Sequence, residues 1–138
     1  MKLNEIKKGK LFYMAEQHDG QLYVVEYVVV GEPSLVARDY FRFIGRNTVS
    51  QLKQEVYFDL VDGEEVVATQ KADYSTFFFN KQDAYTYALD VAEKWIISAD
   101  YSIHEKMLEV QQAKNSLKRY KNMLKRLDKE NKELTKEV

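Results

Sequence analysis

The side chains best suited to chemistry in this 138-residue chain are arginines interleaved with aromatic rings. Val36, Arg38, Tyr40 and Arg42 alternate with Leu35, Ala37, Phe41 and Phe43. In an extended strand, alternate residues share a face, so two guanidinium groups would flank a tyrosine ring. A guanidinium can grip phosphate through paired N–H groups, and a tyrosine can stack on a base. The plainer reading is a solvated strand face whose charges keep the edge from aggregating. Trp95, Tyr101 and Arg119 are further candidates for a ligand surface. Trp95 also fits a core position, and Arg119 fits the solvated face of a helix.

Covalent and metal chemistry has little to work with. The chain has no cysteine, which excludes disulfides, thiolate zinc sites and thiol nucleophiles. Its two histidines, His18 and His104, are far apart and have no third ligand at motif spacing. Asp59, Asp62, Glu64 and Glu65 crowd one Asp-Gly turn without an accompanying base or nucleophile, the pattern of a solvated hairpin. The five glycines, Gly9, Gly20, Gly31, Gly45 and Gly63, are isolated and each fits a turn, so no phosphate-cradling loop is expected. These absences argue against an enzyme, a catalytic residue, a bound metal or a cofactor.

The elements that would position the candidates fall into two regions, residues 1–79 and 80–138. The first is rich in aromatic and β-branched residues and leans towards sheet. Strands are expected over 10–16, 22–30, 35–43, 56–61, 65–70 and 74–79. Asp19-Gly20 and Asp62-Gly63 mark hairpin turns, and Pro33 bars pairing within the turn at 31–34. Leu3 and Ile6 would anchor the N-terminal segment. Asn80 is a good helix cap, with Asp83 placed to suit the helix dipole. Ala84, Tyr87, Ala88, Val91 and Trp95 then form a stripe that would pack residues 80–101 on the sheet.

Near Ser98–Ser102 the pattern shifts, and Ser102 with Glu105 fits a capping box. A break or kink is therefore expected, with residues 102–138 forming a second arm. Ile103, Val110, Ala113, Leu117, Tyr120, Leu124, Leu127, Asn131, Leu134 and Val138 follow a heptad seam that fails only at Lys106. Asn131 at an a position would specify register and favour a dimer. A parallel pair sets Glu130 against Thr135 and Met123 against Asp128, neither an ion pair. An antiparallel pair centred near Lys121 brings Lys114 towards Asp128 and is the orientation the sequence favours, although Lys121 then sits near its own copy. Tyr101 and His104 lie at the expected break, where body and tail could form a pocket.

Charge follows the same division. Residues 103–138 hold ten Lys or Arg against six Asp or Glu, leaving the rest of the chain acidic. Lys114 to Arg126 carries six cations and no acid, a stripe that could meet phosphate or be a coiled coil's outer face. No apolar run approaches the length of a membrane span, and the Lys-rich N-terminus lacks the apolar segment of a signal peptide. A soluble, cytoplasmic protein without a membrane partner is expected.

Ile6-Lys7-Lys8-Gly9-Lys10 leading into Leu11-Phe12-Tyr13, and Tyr74-Ser75-Thr76-Phe77-Phe78-Phe79 running into Asn80-Lys81-Gln82-Asp83-Ala84, resemble small phage and Firmicutes accessory proteins. In these a compact antiparallel sheet or SH3-like open barrel is closed by a strand, a polar link and a helix. A body followed by a long kinked dimerising helix is similar to the phage Thoeris anti-defence proteins of the first type. That resemblance implies an α+β fold of about six strands with a dimeric helical tail, located in the host cytoplasm. It also implies a protein that sequesters a cyclic ADP-ribose signal without cleaving it. Arg38, Tyr40, Arg42, Trp95, Tyr101 and Arg119 are the candidates from the residues themselves. The alternatives are a phage inhibitor that blocks a host enzyme by surface contact, and a nucleic-acid-binding accessory protein using the basic stripe.

Overall fold

The computed structural model describes residues 1–69 and 76–137, with side chains described through residue 136, as an α+β chain of seven antiparallel strands and one long helix. It divides into two compact units, Met1–Lys94 and Trp95–Val138. The strands are β1 (Leu11–His18), β2 (Gln21–Val29), β3 (Ser34–Ala37), β4 (Tyr40–Asn47), β5 (Lys53–Val61), β6 (Glu65–Ala68) and β7 (Phe77–Phe78). Their order is β6-β5-β4-β2-β1-β7, with β3 paired beside β4, in a nearly closed barrel. Beyond a 3₁₀ turn at Leu3–Glu5, the N-terminus reaches the free edge of β6. There Val66 N donates to Met1 O at 3.0 Å, and the terminal ammonium meets Glu65 at 2.7 Å.

The expected Asp-Gly turns form as the sequence requires. Asp19 and Gly20 take φ 52° and 76°, and Asp62 and Gly63 take 54° and 72°. Both pairs adopt the left-handed geometry that matches the twist of a hairpin. The stretch expected as one strand over 35–43 is instead a hairpin, β3 and β4, folded at Arg38-Asp39. Asp39 enters the left-handed region at φ 56°, which a short polar side chain tolerates. Its carbonyl accepts from Leu60 N at 2.8 Å, tying the turn to β5. The expected core face is corrected accordingly: Phe41 and Phe43 turn inward, whereas Leu35 and Ala37 are exposed on β3.

Packing centres on Phe12, which is fully buried. Its ring lies 5.3 Å from Tyr27 in a stack and 5.1 Å from Phe43 edge-on. Ile6, Met14, Val29, Val56, Phe58 and Phe77 complete the buried cluster. Gly45 belongs to this core rather than to a turn. It sits within β4, and a Cβ there would fall 2.7 Å from Phe12 Cε1, so glycine is what lets ring and strand approach.

The helix α1 runs Lys81–Glu137. Asn80 caps it: its Oδ1 accepts from Gln82 N at 2.8 Å and from Asp83 N at 3.3 Å. Ala84 and Val91 are buried, Tyr87 and Ala88 partly so, and the Tyr87 ring lies 5.3 Å from Phe78 of β7. The body-facing stripe is therefore present. The chain does not divide into two helices there: α1 continues through Ser98–Ser102. That segment has neither proline nor glycine, and serine or aspartate inside a helix costs only about 0.5 kcal/mol each, too little to outweigh its hydrogen bonds. The expected strand at 74–79 is described only in its last residues, and Tyr74, Ser75 and Gln70 lie outside the described residues.

Candidate functional site

Two surfaces emerge from this fold, one in each unit. The first is the outer face of β4 and β5. The register sets Arg42 opposite Tyr57 and Tyr40 opposite Asp59, with Ile44 facing Glu55 and Arg46 facing Lys53. The rings of Tyr40 and Tyr57 stack at 5.7 Å between centroids and 14° between planes. Arg42 Nη1 donates to Glu55 at 3.3 Å, and the Tyr57 hydroxyl donates to the other Glu55 oxygen at 2.7 Å. That bond to Glu55, chiefly, raises the Tyr57 pKa, with desolvation and the carboxylate charge adding and Arg42 opposing. Thr69 donates to Asp59 at 2.8 Å. The surface thus offers a two-ring platform rimmed by Arg42, Arg46 and Lys53, with Glu55 and Asp59 as the opposing charges.

Tyr40 and Arg42 are brought together as the alternation predicts. Arg38 is exposed in the β3–β4 turn, a separate position from the strand face. Tyr57, the second ring, was missed. Finding it required the β4–β5 register, which depends on the unforeseen hairpin at Asp39.

The second surface is α1 within Trp95–Val138. Trp95 is half-buried there, Tyr101 is exposed, and the Arg119 guanidinium donates to Ser116 Oγ at 3.2 Å. Tyr101 and Arg119 stand 18 residues apart, roughly 27 Å along a helix axis. One small ligand on one copy cannot touch both.

The heptad seam is laid open along this unit. Ile103, Val110, Leu117, Tyr120, Leu124 and Leu134 are each 53–67% exposed. Ile96, one heptad before Ile103 and 62% exposed, extends the seam. A groove of about 370 Å³ is lined by Ile103, Lys106, Met107, Val110, Gln111 and Lys114. Of these, Ile103, Lys106, Met107 and Val110 stand at a, d, e and a, the four positions that form a hole for a knob from a facing helix. Lys114, Lys118, Lys121 and Lys125 border the next groove, of about 390 Å³.

Among the described residues no group of three or more His, Asp or Glu could hold a metal ion. Nor is any described helix long and apolar enough to cross a membrane. A cavity of about 500 Å³ is lined by Lys2, Leu3, Lys7, Glu32, Pro33 and Glu64 among others, without a nucleophile beside a base. Comparison of the chain with protein-family models, with curated proteins and with solved structures finds no match.

Proposed function

We propose that this protein is a non-enzymatic binding protein that assembles through its helix with a second copy of itself. The observation carrying this reading is the run of apolar side chains at heptad positions from Ile96 to Leu134, each about half or more exposed where named above. Isolated exposed apolar residues are ordinary, but a contiguous seam in one register is not. Its period of 3.5 residues matches the repeat of a helix facing another helix. Light scattering coupled to gel filtration tests it. The chain should elute as a dimer, and Leu117→Glu with Leu124→Glu should elute as a folded monomer. A monomeric parent chain, or a dimer indifferent to both glutamates, refutes self-association through this seam.

A second reading concerns what such a dimer binds. The stacked Tyr40–Tyr57 pair beside Arg42 favours a planar, phosphorylated ligand, with the rings against a base and the arginine on phosphate. Sequestration of a cyclic ADP-ribose-type immune signal, the role that resemblance to phage anti-defence proteins implies, is one form of this chemistry. It needs no nucleophile or metal. Calorimetric titration with cyclic ADP-ribose isomers, followed by recovery of the ligand from heated complex, is decisive. Binding with intact recovery, weakened at least tenfold by Tyr57→Ala, supports it. Absence of binding or recovery of hydrolysed product sinks it.

A further inference from the structure

The self-association proposed above leaves open how two copies face each other, and we infer that the helices pair parallel and in register as a two-stranded coil. This inference rests on that reading and adds an orientation to it. In a parallel pair each residue at a g position meets the e position five residues on in the other copy. Glu109 lies at g and Lys114 at e, so Glu109 of each copy faces Lys114 of the second copy. Within one copy Lys114 has Val110 and Lys118 four residues away, and Glu109 has Glu105 and Ala113. Lys114 therefore has no acid at the spacing of a helical ion pair within its own helix, and Glu109 has only Lys106, three residues before it. By contrast, Arg126–Glu130 at 3.7 Å and Asp128–Lys132 at 3.1 Å are satisfied within one copy. The later pairs, Glu130 with Thr135 and Met123 with Asp128, carry no ion pair, so Glu109 with Lys114 is the charge pair that parallel packing adds.

Core composition points the same way. Ile96, Ile103 and Val110 put β-branched residues at a in the first part of the seam, before Leu117 and Leu124, and Leu127 and Leu134 occupy d in the last part; β-branched a residues with Leu at d favour two parallel strands. Asn131 at a meets its own equivalent only in the parallel arrangement, where the two amides can bond to each other. Antiparallel pairing sets every a residue against a d residue. Centring it near Lys121, which joins Lys114 to Asp128, leaves Ile96 and Ile103 outside the overlap. The register that matches the two polar positions, Asn131 against Lys106, sets Glu109 against Glu130 and Lys114 against Lys121. Like charges then line both flanks.

The absence of cysteine in the chain makes the test direct. Ile103→Cys and Leu124→Cys are made separately in the full chain and equilibrated in a glutathione redox buffer, with outward-facing Lys129→Cys as control. Parallel register brings each a-position cysteine to its own equivalent. Both seam variants should therefore form covalent dimers in high yield, and the control should form few. A dimeric mass by light scattering with neither seam variant cross-linked means antiparallel pairing and overturns the inference. A trimeric mass overturns it as well. A monomeric mass instead removes the underlying self-association, so the two failures are told apart.

Discussion

The ring of Phe12 fills the space that a side chain at position 45 would need, so the centre of the barrel depends on one absent methyl group. Phe12 is fully buried and hemmed by Tyr27, Phe43 and Phe77, leaving it no inexpensive way to move. Gly45→Ala should lower unfolding free energy by about 1–3 kcal/mol, read as a reduced midpoint in urea. Sequence spacing suggested a turn at Gly45 because glycine reports backbone freedom but not what occupies its missing side chain. A second residue-scale prediction concerns Tyr27, whose buried hydroxyl donates to the Glu16 carboxylate. Burial first, then that bond and the Glu16 charge, raise its pKa above the ordinary value, with Asn47 opposing. A raised folded-state pKa means the neutral phenol stabilises the fold fully below about pH 10, the unfolded value. That contribution is lost as pH rises from there towards the folded value. Urea midpoints measured from pH 8 to 11.5 should fall above pH 10, and the fall should be shallower in Tyr27→Phe.

At the scale of elements, local signals were legible where one residue type decides the backbone. Both Asp-Gly turns and the Asn80 cap form where the sequence places them. Asn80→Ala should cost about 1 kcal/mol, because two backbone N–H groups at the start of α1 lose their acceptor. A thermal melt followed at 222 nm checks this, and Asn80→Asp should retain most of the stability. The hairpin at Asp39 was not legible, since Arg-Asp lacks the glycine that usually marks such a turn and the flanking alternation continues across it. Without that turn the register that sets Tyr57 beside Tyr40 and Arg42 could not be read. The opposite error occurred at Ser98–Ser102, where Ser102 and Glu105 have capping-box spacing but the helix simply continues. A capping signal is weak when no proline or glycine compels the chain to stop.

At the scale of the whole molecule, the α+β class and the presence of a long C-terminal helix could be read from composition and periodicity, because both are averages over many residues. Partner geometry depends on a few exceptions to the pattern, and Lys106 is the most informative of them. It occupies a d position between Ile103 and Val110, in the groove that would receive a knob. In a parallel dimer its equivalent stands directly opposite, and the two ammonium groups must splay outward on their aliphatic stems. That layer is a site of repulsion in an otherwise apolar stretch. Lys106→Leu would replace it with a leucine pair, and burying the added leucine surface contributes about 2 kcal/mol or more per dimer. The variant should dissociate at roughly tenfold or greater dilution relative to the parent chain and melt at a higher temperature, with the gain reduced in high salt, where repulsion in the parent is already screened. Sedimentation equilibrium across a dilution series measures the first effect. In the antiparallel register that sets Lys106 against Asn131, the same change would strand an amide opposite leucine, and dimer stability would fall.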